Sequence, residues 1–264
     1  MELREFLFEP LRGRSFGFAV RAKENGIFSG AAKLKELAEH LNIRTISLAQ
    51  EGETLSPGTI VLQGLGGAEE VARAEETLLG VISKASGVAS AASAMVAKAS
   101  PVRVVCGAWK KVSSSVRAEL RQAVTTGGCG LRIADEPFIY LDKNYIRMFG
   151  GIAGAVSRAK RFEPERLVVA QLRGEETKIA DEAREAWQAG AAILMVDTGC
   201  LEDLRATVRA AASGGWRQQV QLAFAGGVTG QELEEVKVLG IDVVDVGRAI
   251  LDAPMLDFSL DVEG

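Results

Sequence analysis

The sequence predicts a two-domain α/β protein whose larger domain is a TIM-type barrel. From about residue 101 onward, short β-branched runs alternate with amphipathic helical segments, which is typical of repeated βα units. The run Ala-Ala-Ile-Leu-Met-Val is apolar throughout, as expected for a strand buried on both faces of a parallel sheet. Because no nucleotide-binding fingerprint stands near the start, a barrel is favoured over an open sheet.

The barrel elements follow in order along the second part of the chain. The predicted strands are Val102–Cys106, Leu167–Leu172, Ala192–Asp197, Val220–Ala225 and Ile241–Val246. The predicted helices are Ser114–Val124, Gly151–Arg161, Lys178–Ala189, Leu201–Ala212 and Thr229–Leu239.

The first hundred residues have a different pattern. Strand-like runs at Phe18–Arg21, Ile43–Ala49 and Thr59–Leu65 surround one helical segment, Ala31–Leu41. A long helical run, Glu69–Lys98, follows them. We expect the domain boundary near residue 100, which gives an N-terminal domain of residues 1–100 and a barrel domain of residues 101–264. Packing of the C-terminal end of the chain on the N-terminal domain is left open.

Composition excludes several classes of function. Of the 264 residues 47% are hydrophobic and 25% charged, and the net charge of −4 argues against a nucleic-acid partner. The N-terminus lacks an apolar signal core, and the stretch Gly80–Ser100 is interrupted by lysines, so no membrane segment is expected. The single histidine, His40, excludes a metal site built on several histidines of one chain.

The three cysteines, Cys106, Cys129 and Cys200, are widely spaced and odd in number, which favours a reducing, cytoplasmic location. Each falls at or just after a predicted strand end. Whether they converge on a metal or are small buried hydrophobic residues is left open by the sequence.

The final two βα units carry a phosphate-binding pattern. Gly226 and Gly227 follow one predicted strand, and Gly247 and Arg248 follow the next. In TIM barrels the loops after the last two strands bind phosphate, since glycine lets main-chain N–H groups approach the anion. Arg248 would add a charged donor.

Charged residues also stand at other strand ends. Lys110 and Lys111 follow the first barrel strand and are candidates for holding a diphosphate, although a solvated surface pair explains them equally well. Asp197 ends a buried strand, where a carboxylate must be paired, ligated or functional. Asp142 and Arg132 complete the charged rim.

From about Phe16 to the C-terminus the chain resembles the quinolinate phosphoribosyltransferase family. The matching segments are Arg21–Gly30, Ser86–Ser90, Lys110-Lys111, Gly127-Gly128 with Arg132, Asp142–Tyr145, Ala225–Thr229 and Asp245–Leu260. The resemblance implies a smaller N-terminal α/β sandwich, an incomplete TIM-type α/β barrel, and a homodimer, or a higher homo-oligomer, with a shared active site.

The departures from the family pattern affect the acid-binding residues. Glu76 stands where the family has an arginine, Leu131 where it has a histidine, and Asp142 where it has a lysine. The strand that carries family glutamates reads Leu-Val-Val-Ala-Gln171, with no carboxylate. An arginine-to-glutamate change alters the local charge by two units, which would repel a carboxylate from a partly buried site.

The resemblance and its departures together suggest a phosphoribosyltransferase-like enzyme that uses phosphoribosyl diphosphate or a ribonucleotide with a substrate other than quinolinate. Gly226, Gly227, Gly247 and Arg248 would bind phosphate, and Lys110, Lys111 and Arg132 would bind diphosphate. Catalysis would rest on Lys111 and Asp197, with Asp142 and Glu76 among the substrate-binding positions. No tightly bound cofactor is expected, although Mg²⁺ could accompany a diphosphate.

Two other hypotheses stay open at this point. The chain could be a catalytically silent or repurposed paralogue that acts as a binding or assembly subunit, or a barrel enzyme that uses its thiols with a metal.

Overall fold

The computed structural model describes residues 3–263. The helices are α1 (Leu3–Phe8), α2 (Ala31–His40), α3 (Ala68–Ala99), α4 (Ser114–Thr126), α5 (Lys143–Met148), α6 (Ile152–Phe162), α7 (Ile179–Gln188), α8 (Leu201–Ser213), α9 (Leu233–Val238) and α10 (Arg248–Leu251). The strands are β1 (Phe16–Ala22), β2 (Gly26–Ile27), β3 (Arg44–Leu48), β4 (Thr54–Leu55), β5 (Ile60–Gly66), β6 (Arg103–Val105), β7 (Phe138–Leu141), β8 (Leu167–Leu172), β9 (Ile193–Asp197), β10 (Gln221–Ala225), β11 (Val243–Asp245) and β12 (Phe258–Glu263). Short 3₁₀ turns lie at Glu9–Leu11, Ala108–Lys111 and Arg217–Gln219.

The chain forms two compact units. One comprises the residues up to Ala94, Trp109–Cys129 and the chain from Ile250 onward, and the other comprises Met95–Ala108 and Gly130–Ala249. The predicted division into residues 1–100 and 101–264 stays a prediction.

The first unit is built on a four-stranded antiparallel sheet in the order β12-β1-β5-β3. Strands β2 and β4 form a separate two-stranded sheet. The C-terminal strand β12 pairs with β1 over six residues. Gly17 lies opposite Glu263 at one end of this pairing, and Ala22 lies opposite Phe258 at the other. Strand residues such as Phe18 and Leu62 are fully buried together with Leu34 of α2. This is the smaller α/β domain that the sequence predicts.

Helix α3 is the only helix among residues 3–263 that is long and apolar enough to cross a membrane by length and composition. Its first half buries Val71, Ala74, Leu78 and Ile82 in the core of the first unit. Since these side chains already pack on a protein core, α3 is a core helix of that unit.

The second unit is a six-stranded parallel sheet in the order β6-β11-β10-β9-β8-β7. Val169, Ile193, Met195 and Ala223 from its central strands are buried together in one apolar cluster. Within the described residues no strand pairing joins β6 to β7, so the barrel is open, and a single parallel bridge links Val105 to Gly130. The predicted incomplete α/β barrel is therefore confirmed.

The last predicted helix is shorter than expected. The helix predicted over Thr229–Leu239 begins only at Leu233. The carboxylate of Glu232 accepts hydrogen bonds from both the N–H and the hydroxyl of Thr229, which holds residues 229–232 in a turn.

Candidate functional site

The parallel sheet brings the carboxyl ends of its strands to one edge, which is where α/β proteins bind ligands. Asp197 of β9 pairs with Ala225 of β10, and Asp245 of β11 pairs with Val105 of β6. Phe224 pairs with Val244, so Ala225 and Asp245 lie at the same level of the sheet. With strands about 4.8 Å apart, the main chains of Asp197 and Asp245 lie about 10 Å apart.

Two side chains, one bonded to its carboxylate and one to its main-chain carbonyl, hold Asp197 in place. The side-chain amide of Gln171 donates to Asp197 Oδ2, and the guanidinium of Arg173 donates to the Asp197 main-chain carbonyl. The Oε1 atom of Gln171 accepts from the Lys143 N–H at 2.6 Å. Because Gln171 is only 7% exposed and uses its donor and its acceptor at once, it joins the ends of β7, β8 and β9.

Asp245 has a different environment. Its Oδ1 accepts a hydrogen bond from the N–H of Gly107 at 2.9 Å. A Cβ atom at position 107 would lie 2.4 Å from Oδ2, so any other residue there would force the carboxyl group to move. Burial, together with the nearby charge of Asp197, raises the pKa of Asp245 to about 6, although the Gly107 N–H acts in the opposite direction.

Tyr140 of β7 lies in the same acidic surroundings. Burial is the largest cause that raises its pKa, and the charges of Asp197, Asp245 and Asp142 raise it further. The phenol is therefore a neutral hydrogen-bonding group at physiological pH.

The predicted phosphate-binding glycines lie on neighbouring strands, since β10 and β11 are paired in the sheet. Gly226 has φ +108° and Gly227 has φ +94°, a left-handed conformation that L side chains rarely adopt. A Cβ at Gly226 would lie 2.2 Å from the Gly199 nitrogen, whereas a Cβ at Gly227 would meet no atom within 4 Å. Gly227 is thus open to solvent, and Gly247 follows the neighbouring strand.

Three other predicted site residues, Asp142, Arg132 and Arg248, lie in the second unit. Asp142 caps α5 by accepting from the N–H groups of Asn144 and Tyr145 at 3.0 and 3.3 Å. Arg132 is exposed, with its guanidinium 5.0 Å from the ring centroid of Phe138. Arg248 is exposed at the start of α10.

Lys110, Lys111 and Glu76 belong to the first unit. The two lysines are exposed on the 3₁₀ turn Ala108–Lys111, and Trp109 in the same turn is buried with the guanidinium of Arg121 5.4 Å from its ring. Glu76 is exposed and forms a 2.5 Å ion pair with Arg4.

The cysteines are free thiols. Cys106 and Cys129 are buried, whereas Cys200 is exposed. Burial raises the pKa of Cys106 to about 11, so this thiol is a poor thiolate ligand. Among residues 3–263, no three side chains of the types Cys, His, Asp and Glu form a group that could hold a metal ion.

Sequence reasoning missed Asp245 and saw Gln171 only as a missing carboxylate. Asp245 carried the same signal as Asp197, a carboxylate within a buried strand end. The bonding of Gln171 had no signal in the sequence, because its partners lie 26 and 28 residues away, at the end of β9 and at the start of α5.

Two family models match nearly the whole chain. The C-terminal domain of quinolinate phosphoribosyl transferase matches residues 88–261, and its N-terminal domain matches residues 9–86. An Archaeoglobus fulgidus protein, named as a probable carboxylating nicotinate-nucleotide pyrophosphorylase, is 28% identical over 92% of this chain and 93% of its own. The Rattus norvegicus carboxylating nicotinate-nucleotide pyrophosphorylase is 29% identical over 90% of this chain and 79% of its own.

Solved structures agree on the fold. The nicotinate-nucleotide pyrophosphorylase of Pyrococcus furiosus has a TM-score of 0.85 at 21% identity and covers 98% of this chain and 72% of its own. The Francisella tularensis protein of the same name has a TM-score of 0.80 at 22% identity and covers 97% of this chain and 89% of its own. With both domain models matched in order, the resemblance read from the sequence is confirmed, and the chain belongs to the quinolinate phosphoribosyl transferase family.

Proposed function

We propose that the protein is a phosphoribosyltransferase, related to nicotinate-nucleotide pyrophosphorylase, that uses phosphoribosyl diphosphate or a ribonucleotide with a substrate other than quinolinate. The observation that carries the proposal is the left-handed pair Gly226-Gly227, of which Gly227 is open, beside the strand end that leads to Gly247. Such a main-chain arrangement presents N–H groups to an anion without a side chain in the way. In this proposal the 5-phosphate of the ribose binds there, with Arg248 as an additional donor.

Asp197 supports a role on the ribose. Its side chain is fixed by Gln171 and its carbonyl by Arg173, so the carboxylate is preorganised to accept from ribose hydroxyl groups. Lys110, Lys111 and Arg132 would bind the diphosphate and stabilise it as it leaves. Mg²⁺ would arrive with the diphosphate, whose oxygens are the ligands that this ion prefers.

The choice of a substrate other than quinolinate rests on charge. Glu76, Leu131 and Asp142 stand at positions where the family pattern has basic residues or a histidine. Asp142 also caps α5, and Asp197 and Asp245 lie at the same edge of the sheet. A dicarboxylate would meet these three carboxyl groups at this edge, and like charges repel it.

We further propose that the protein is a cytoplasmic homodimer, or a higher homo-oligomer, with a shared active site. The free cysteines are consistent with a reducing compartment. Light scattering of the purified chain tests the assembly, and a monomer at micromolar concentration would contradict it.

Calorimetric titration with phosphoribosyl diphosphate tests the binding function. We expect one site per chain, at least a tenfold loss of affinity for Lys111→Ala, and unchanged affinity for Lys35→Ala, an exposed lysine of α2 that serves as the matched control. The alternative of a silent paralogue, which Gln171 at the strand end favours, predicts no binding by the wild type.

A further inference from the structure

No step of the proposed transfer uses Asp245, although it lies at the same edge of the sheet as Asp197. It ends β11, two residues before Gly247, at the level of Asp197 on β9. Its carboxyl group accepts one main-chain hydrogen bond, from Gly107, and no cation pairs with it among residues 3–263. A partly buried carboxyl group without a counter-ion is costly to keep for structural reasons alone.

The groups that face Asp245 favour proton exchange near neutral pH. The titratable groups are the buried thiol of Cys106 after β6, the phenol of Tyr140 on β7 and the carboxylate of Asp197 on β9. None of these groups is a cation, and the pKa of Asp245 is raised to about 6. Asp197, in contrast, accepts from the amide of Gln171. Two carboxyl groups in one site with such different environments can take different roles in acid–base chemistry.

Whether the transfer needs a base depends on whether the acceptor nitrogen carries a hydrogen. The acceptor nitrogen forms a bond to C1′ of the ribose, the bond from C1′ to the diphosphate oxygen breaks, and the diphosphate leaves with that electron pair. A pyridine nitrogen such as that of quinolinate carries no hydrogen, so no proton is lost. An acceptor nitrogen that carries a hydrogen must lose it, and a base has to take that proton.

We infer that Asp245 is the general base of the transfer and that the acceptor is a heterocycle whose attacking nitrogen carries a proton. This inference rests on the proposed function and specifies its substrate class. The proton of the N–H group passes to the Asp245 carboxylate and then to water, while the Gly107 N–H holds the carboxylate in place. A side chain at position 107 would displace this carboxylate, because its Cβ would meet Oδ2.

The test combines one binding measurement with one turnover measurement. Affinity for phosphoribosyl diphosphate is measured first, because its absence in the wild type would overturn the proposed function and this inference with it. Diphosphate release is then followed with adenine, uracil and benzimidazole, which carry N–H groups, and with quinolinate and nicotinate, whose ring nitrogens carry none.

We expect release with at least one N–H acceptor and a wild-type rate that falls about tenfold per pH unit below about pH 6. Asp245→Asn should lower that rate by about 10²- to 10⁴-fold and remove the acidic limb, with affinity for phosphoribosyl diphosphate within twofold of wild type. Asp135→Asn, at a side chain that is 98% exposed, is the matched control and should match the wild type.

Three results would overturn the inference while the diphosphate still binds. They are release with quinolinate or nicotinate only, no release with any N–H acceptor, and a rate with an N–H acceptor that Asp245→Asn leaves unchanged. The wild-type pH profile decides the matter if Asp245→Asn fails to fold, since a profile flat between pH 5 and 8 excludes Asp245 as the base.

Discussion

Replacing Gln171 by methionine should destabilise the second unit and loosen Asp197. Methionine has a similar length but no polar atoms, so Asp197 Oδ2 loses its amide donor and the Lys143 N–H loses its acceptor. A hydrogen bond to a charged group contributes about 1.5–3 kcal/mol and a neutral one about 1 kcal/mol. Since Gln171 is 7% exposed, water cannot fully replace either bond, and we expect a loss of about 3 kcal/mol.

Urea unfolding followed by tryptophan fluorescence measures this loss. Trp187 and Trp216 both lie in the second unit, and their rings stack with centroids 5.2 Å apart, so their emission reports on it. Gln218→Met, at an exposed glutamine of the same unit, should change the free energy of unfolding by less than about 0.5 kcal/mol. A stability of Gln171→Met within 0.5 kcal/mol of wild type would refute the reasoning.

The variant Gln171→Glu keeps the shape of the side chain at position 171 but adds a negative charge next to Asp197. One oxygen of the new carboxyl group can still accept from the Lys143 N–H, but the other faces the Asp197 carboxylate in place of a donor. Two carboxylates at hydrogen-bonding distance must share a proton, so the variant should be destabilised at pH 8 and recover towards wild type at pH 5. Equal stability at both pH values would contradict the assigned hydrogen bonds.

Two further predictions concern other parts of the molecule. Glu51 accepts from the hydroxyls of Ser29 and Thr126 and from the N–H groups of Gly30 and Ala31. Partial burial raises its pKa, but these four hydrogen bonds outweigh it and lower the pKa overall, so Glu51 stabilises the fold above pH 4–5 and this contribution disappears as the pH falls through the folded pKa. Glu51→Gln should therefore cost about 1 kcal/mol at pH 7, discounted for exposure, and less at pH 3, as measured by thermal unfolding. Gly226→Ala should cost several times more than the roughly 1–2 kcal/mol of Gly58→Ala, since both positions have positive φ but only Gly226 places the Cβ against main chain.

Each of these two predictions has its own refutation. A Glu51→Gln penalty that is equal at pH 7 and pH 3 would show that the charge of the carboxylate is not what the surrounding donors recognise. Equal costs for Gly226→Ala and Gly58→Ala would mean that the main chain of Gly226 does not approach Gly199 as described.

The central strands of the barrel were predictable because a strand that is buried on both faces has an apolar composition. Strands β8, β9 and β10 lie within one residue of the predicted runs, since a strand covered on both faces must be apolar throughout. Strand β7 was not predicted, because Phe138–Leu141 is a short edge strand whose burial is only partial. Strand β12 was missed as well, because its pairing partner β1 lies at the other end of the chain.

Residues of the candidate site were predictable only where the residue type and its place at a strand end were informative without knowledge of its partners. Asp197 is a carboxylate at the end of a buried strand, and Gly226-Gly227 marks a turn that only glycine adopts easily. The roles of Gln171 and Gly107 depend on partners from other strands and from α5, and no local pattern encodes such partners.

Thermal unfolding in the presence of phosphoribosyl diphosphate tests the phosphate site most directly. A ligand at 100 times its Kd stabilises the folded protein by about 2.7 kcal/mol, which corresponds to a rise in Tm of about 5–10 °C for a protein of this size. We predict this rise with phosphoribosyl diphosphate and none with quinolinate alone. An unchanged Tm with phosphoribosyl diphosphate at millimolar concentration would contradict the account.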